Sequence, residues 1–131
     1  MTGHPIAVTT LCALLALPQS WTPPPELPPR APAAAASNAP PTVEQLIRAA
    51  AARHGVSAAT LLRVAACESR LRPWVTSRSG HMGLYQFSAR TWHWMSAAAG
   101  WAGASPYDPA AAAEVAAYAF GRGWSGHWSC R

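Results

Sequence analysis

A small, mainly α-helical domain is the fold class this sequence predicts, and three observations predict it. Thr42, Ser57, Ser88 and Asp108 each read as a helix start, with apolar residues following at helical spacing. Nine of the thirteen prolines lie between Pro18 and Pro41, and only Pro73, Pro106 and Pro109 come after, so the folded unit is expected over residues 42–131. No stretch has a convincing strand pattern, and no internal repeat occurs.

Taken in chain order, residues 1–20 hold an apolar run, Ile6 to Leu17, of the length of a signal-peptide core and shorter than the roughly 20 residues of a bilayer-spanning helix. No Lys or Arg precedes that run and no clean cleavage site follows it, so an uncleaved anchor and a misassigned start are the other readings. Cys12 sits in a poor lipidation box. Residues 21–41, with Pro23-Pro24-Pro25 and the alanines at 33–36, bury too little apolar surface to fold and read as an extended linker.

Thr42 with Gln45 makes a capping-box pattern for a first helix, whose stripe of Leu46, Ile47, Ala50 and Ala51 stops at His54-Gly55. Ser57 caps a second helix, with Val56 and Leu61 at staple spacing, and Pro73 marks the end of that helical region. From Thr76 to Gly83 the chain is rich in Ser and Gly, and an irregular loop or short hairpin is expected there. Ser88 caps a third helix running to about Ala99, closed by Gly100. Asp108-Pro109 launches a fourth that Gly121 ends.

Ten arginines with no lysine, beside a heavy alanine load, read as GC-rich coding rather than as a built basic surface. The net charge of +5 suits an anionic polymer, but the arginines are scattered and no groove-reading motif occurs, so nucleic acid is not an expected partner. In a chain read as exported, Cys67 and Cys130 form the even pair left without Cys12 and are expected to bond; two buried thiols are the alternative.

The chemistry points to one carboxyl. Leu61, Ala65 and Glu68 fall at i, i+4 and i+7, so Glu68 ends the inward face of its helix. Desolvation there raises a carboxyl pKa and suits the group to donate a proton. Fifteen residues on comes Gly83-Leu84-Tyr85-Gln86-Phe87. The other acids of the domain have plainer duties: Glu44 in a first helical turn, Asp108 as a cap, Glu114 on a solvent face in mid-helix. His81, His93 and Cys67 show no zinc-ligand spacing, and neither metal nor cofactor is expected.

Over about residues 43–130, the run from Glu68-Ser69 through Pro73, Ser77 and Gly80 to Gly83-Leu84-Tyr85-Gln86 resembles the lytic transglycosylase catalytic domain of the lysozyme-like superfamily. Cys67-Glu68-Ser69, the Gln86-Phe87 to Thr91-Trp92 spacing and the Trp128-to-Cys130 end are also similar to the resuscitation-promoting factors of actinobacteria. The resemblance implies a small lysozyme-like helical domain acting on peptidoglycan glycan strands outside the cytoplasm. It implies Glu68 as the single acid catalyst, Ser77 and Gln86 as substrate-contacting groups, and Tyr118 as a tyrosine bonding near the glutamate. The expected reaction cleaves the bond between N-acetylmuramic acid and N-acetylglucosamine and forms 1,6-anhydromuramic acid. A hydrolysing muramidase, a resuscitation-promoting type of enzyme and a non-catalytic wall-binding module are the alternatives.

Trp74 and Tyr85 are nominated as sugar platforms, because flat apolar rings stack on pyranoses. Tyr85 departs from the family's usual Met, and Arg72 from its usual Asn. Each residue also has a plainer reading: Glu68 as a helix-end acid paired with Arg70 or Arg72, Ser77 as a loop serine, Gln86 as a partner of local backbone, Tyr118 as a core aromatic. A monomer without a stable membrane span is expected.

Overall fold

The computed structural model describes residues 38–131; the readings for residues 1–20 and for most of the 21–41 linker lie outside the described residues. Among the described residues four helices follow in order, α1 (Val43–His54), α2 (Ala58–Ser69), α3 (Ala89–Ala98) and α4 (Pro109–Gly121), and a 3-10 turn spans Ser125–His127. The fold is mainly α, consistent with a lysozyme-like helical domain. Among the described residues the β pairing is confined to two isolated antiparallel bridges, Thr76 with Met82 and Met82 with Phe87, so the stretch after α2 is an irregular loop.

The helix starts fall where short-range chemistry puts them. Thr42 Oγ1 accepts from the Gln45 N–H at 3.2 Å while Gln45 Oε1 accepts from the Thr42 N–H at 2.8 Å, a reciprocal capping box. Ser57, Ser88 and Asp108 accept in the same way from Thr60, Thr91 and Ala110. Gly55 ends α1 in the left-handed region at φ 64°.

The end of α2 departs from expectation. The helix stops at Ser69, not near Pro73, because Arg70 and Leu71 both turn left-handed, at φ 56° and 59°. Such a conformation costs a side-chain-bearing residue about 1–2 kcal/mol. Hydrogen bonds offset it: the Arg70 N–H donates to Ala65 and Ala66, the Leu71 N–H to Ala65, and Arg72 Nε to the Ser69 carbonyl at 3.0 Å. The chain thus reverses one residue past Ser69, and Glu68 stands in the last turn of α2.

At the centre of the domain is α4, with Ala111, Ala112, Ala113, Val115, Ala116, Ala117 and Ala119 all buried. A helix apolar on every side belongs in a core, and its small alanines let α1 and α3 pack close. Glu114 corrects the sequence reading: it faces the protein, not solvent, and is 8% exposed. Arg53 Nε donates to it at 2.6 Å, Arg53 Nη2 also bonds to it, and His54 Nε2 lies 2.8 Å from its other oxygen. Burial pushes the Glu114 carboxyl up, but those bonds and charges outweigh it and hold the group below the usual carboxylate range.

Two contacts fasten the loop to α2 and to the segment before α4. The buried Ser69 hydroxyl lies 2.8 Å from the Leu84 carbonyl and 3.0 Å from the Ala65 carbonyl, and accepts from the Arg72 N–H. Gly83 passes so close to the backbone at Pro106 that a Cβ would collide with the Pro106 carbonyl oxygen, and its φ is +73°. Glycine is therefore required by space and by conformation. Tyr85, Phe87, Trp92, Trp128 and Phe120 form a chain of ring contacts 5.1–6.3 Å apart.

Gly83→Ala should lower unfolding stability by about 2–4 kcal/mol, combining overpacking with a left-handed alanine; an unchanged denaturation midpoint contradicts the close approach. Because the folded pKa of Glu114 is depressed, its stabilisation is fully present above the unfolded carboxyl value of about 4.3 and is lost as pH falls through the folded value. Glu114→Gln should lower the melting temperature at pH 7 and shrink that difference progressively below about pH 4; a pH-independent difference contradicts the ion pair.

Candidate active site

Glu68 is half-buried between two fixed neighbours. Before it, Cys67 is disulfide-bonded to Cys130 across 63 residues, with Cα atoms 6.1 Å apart. After it, Ser69 is held to Leu84. A cavity of about 360 Å³ opens at Glu68, lined by Ser77, Ser79, His81 and Gln86 from the loop and by His127, Trp128 and Ser129 from the C-terminal segment. A smaller hollow of about 60 Å³ shares His81, Gln86, His127 and Trp128 and extends the cleft to Ser88 and Thr91.

Among the described residues Glu68 is the one carboxyl lining the cleft. It has no hydrogen-bond donor among them, and burial pushes its pKa up, outweighing the opposite pull of His81. A carboxyl without donors and partly out of water keeps its proton to higher pH than a free one. Of the remaining acids, Asp108 accepts from the N–H groups of Ala110 and Ala111, Glu114 is tied to Arg53 and His54, and Glu44 is exposed in the first turn of α1.

Ser77 and Gln86, which the family resemblance named, line the same cavity as Glu68, and the structure defines what each offers. Gln86 stands at φ 51°, and its Nε2 donates to the Gly83 carbonyl at 2.8 Å and to Val75 at 3.4 Å. Both partners are acceptors, so the amide nitrogen faces the backbone, and the Gln86 contribution to the cleft is its carbonyl oxygen. Ser77 Oγ accepts from the His81 N–H at 3.0 Å and lies 3.0 Å from Ser79 Oγ, which lies 2.8 Å from His81 Nδ1.

Three nominated residues stand outside the cleft. Tyr85 is 0% exposed, with its hydroxyl donating to the Leu61 carbonyl at 3.3 Å and its own carbonyl accepting from Trp128 Nε1 at 2.8 Å. Burial pushes its phenol far above the ordinary range, and its ring has no face to offer a sugar. Tyr118 packs on His54 and Trp124 under the Arg122 guanidinium, away from the cavity lining. Trp74 is 69% exposed, also outside that lining.

Sequence reasoning missed Ser79, His81, His127, Trp128 and Ser129. Two signals pointed to them: Ser79 and His81 lie inside the Ser77-to-Gln86 loop, and the expected disulfide puts the neighbours of Cys130 beside the neighbours of Cys67.

The domain is mainly helical, with one half-buried carboxyl at the edge of a polar cleft, consistent with a lysozyme-like helical domain. The Transglycosylase SLT domain family matches residues 45–125, more than half of the chain, and the chain belongs to that family. The family is typically muralytic, so a peptidoglycan-lytic function of lytic transglycosylase type, outside the cytoplasm, is the general assignment. The further likeness to resuscitation-promoting factors has no counterpart in this match. No curated protein and no solved structure matches the chain. No described helix is long and apolar enough to cross a membrane.

The disulfide carries one wall of the cleft. Cys130→Ser should lower unfolding stability by about 4 kcal/mol on the chain-entropy account of a loop this long. Denaturant unfolding with and without reductant measures it, and a midpoint indifferent to reduction contradicts the tie.

Proposed function

We propose that the protein cleaves the glycan strand between N-acetylmuramic acid and N-acetylglucosamine with Glu68 as sole acid and base, leaving a 1,6-anhydromuramic end. Protonated Glu68 gives its proton to the glycosidic oxygen as the C1–O bond breaks. The resulting carboxylate then takes the proton from the muramoyl C6 hydroxyl as O6 bonds to C1. The nucleophile is intramolecular, so proximity replaces a positioned water and its activating base.

The observation that carries this reading is the absence of a second carboxyl from the cleft among the described residues. Ordinary glycosidases place two carboxyls about 5–9.5 Å apart. A hydrolysing muramidase using Asp108 would have to take that side chain from the helix start it caps. The acetamido group fits the remaining lining: the Gln86 carbonyl oxygen accepts its N–H, Ser77 bonds its carbonyl, and the group supports the cationic centre as in substrate-assisted glycosidases. Trp74 is the nominated platform with an exposed ring. The Cys67–Cys130 bond supports secretion or residence in the cell envelope.

The test is digestion of purified sacculi followed by mass spectrometry. Wild-type protein should release muropeptides lighter by one water than hydrolysis products, and Glu68→Gln should release at least about a thousandfold less. Reducing ends would favour the muramidase, and unchanged release by the Gln variant would remove Glu68 from its role.

A further inference from the structure

The loop wall facing Glu68 contains a hydrogen-bonded chain that the reaction as described leaves unused. It runs from Ser77 Oγ to Ser79 Oγ at 3.0 Å and from Ser79 Oγ to His81 Nδ1 at 2.8 Å. One link has a fixed direction, because the His81 backbone N–H donates to Ser77 Oγ at 3.0 Å. A serine oxygen has one proton to give and two lone pairs. With one lone pair taken, the link to Ser79 decides whether Ser77 faces the cleft as donor or as acceptor.

We propose that His81 is a positioning residue that sets the hydrogen-bond polarity of Ser77 through Ser79. When the imidazole is charged both ring nitrogens carry hydrogen, so Nδ1–H donates to Ser79 and Ser79 donates to Ser77. Ser77 then holds two incoming bonds, and its own O–H is released toward the cleft. When the imidazole is neutral with its hydrogen on Nε2, Nδ1 accepts from Ser79, Ser79 accepts from Ser77, and Ser77 turns a lone pair to the cleft instead. The charged state therefore presents a donor to the acetamido carbonyl, and the neutral state withdraws it. The inference rests on the glycan reading of the cleft given above. Glu68 on α2 and His127 in the 3-10 turn are the other titratable side chains lining the cavity with His81, and neither bonds to Ser79.

The experiment measures binding of the uncharged tri-N-acetylchitotriose, by titration calorimetry from about pH 5 to 8. It uses the Glu68→Gln chain, which removes both turnover and the carboxyl titration. Affinity should be about fivefold tighter at the acid end, the worth of one net hydrogen bond. Adding Ser79→Ala should abolish the pH dependence, since Ser77 then has no second partner to answer to, and Ser79→Thr, which keeps the hydroxyl, should restore it. A through-space effect of His81, or one from His127, would survive Ser79→Ala and overturn the relay while leaving the functional reading intact. A flat profile in the parent chain overturns the relay as well. No binding at any pH would strike the glycan reading itself, and the relay with it.

Discussion

The covalent tie between Cys67 and Cys130 is the constraint from which the cleft is built. One wall comes from the end of α2 and the loop behind it, the other from His127, Trp128 and Ser129, far along the chain. The tie lies one residue from Glu68 on one side and one residue from Ser129 on the other. Trp128 reinforces it, its Nε1 donating at 2.8 Å to the carbonyl of Tyr85 within the turn that ends at Gln86. A domain of this size has a modest core, and a cross-link at the site supplies rigidity that packing alone would not.

Two glutamates in this domain show how environment assigns roles to one side-chain type. Glu114 is the more buried, yet an arginine and a histidine bond to it, and it is held ionised as part of the α1–α4 contact. Glu68 is less buried but has no donor among the described residues, so desolvation dominates and its pKa rises. Burial alone therefore does not raise a carboxyl pKa; burial without a partner does. The left-handed Arg70 and Leu71 and the close pass of Gly83 are the backbone means by which Glu68 is set at a cleft edge and not in the core.

Much of this was legible in the sequence. Thr42, Ser57, Ser88 and Asp108 announced the helices because a cap acts over about three residues, within the reach of a motif. Glu68, Ser77 and Gln86 meet in one cavity for a similar reason: they lie within one helix end and one loop. The left-handed residues at 70 and 71 were hidden because neither is glycine, the usual sign of that conformation. Glu114 was misread because its partners, Arg53 and His54, lie 61 and 60 residues upstream and no local pattern announces them. Tyr85 has the look of a sugar platform next to Gln86, but Leu61 and Trp128 claim it for the core, and only the tertiary fold brings them there.

The proposed chemistry turns on the protonation of one side chain. Carbon-13 NMR titration of the Glu68 carboxyl in the unliganded wild-type protein reads it directly. A midpoint above the free glutamate value of about 4.3 is the predicted result. In the proposed reaction the glycosidic oxygen would then find a proton donor at that position at mildly acidic pH, and cleavage would decline as pH rises through the midpoint. A midpoint at or below the free value would mean that Glu68 is already a carboxylate when substrate arrives, and would contradict its assignment as the acid.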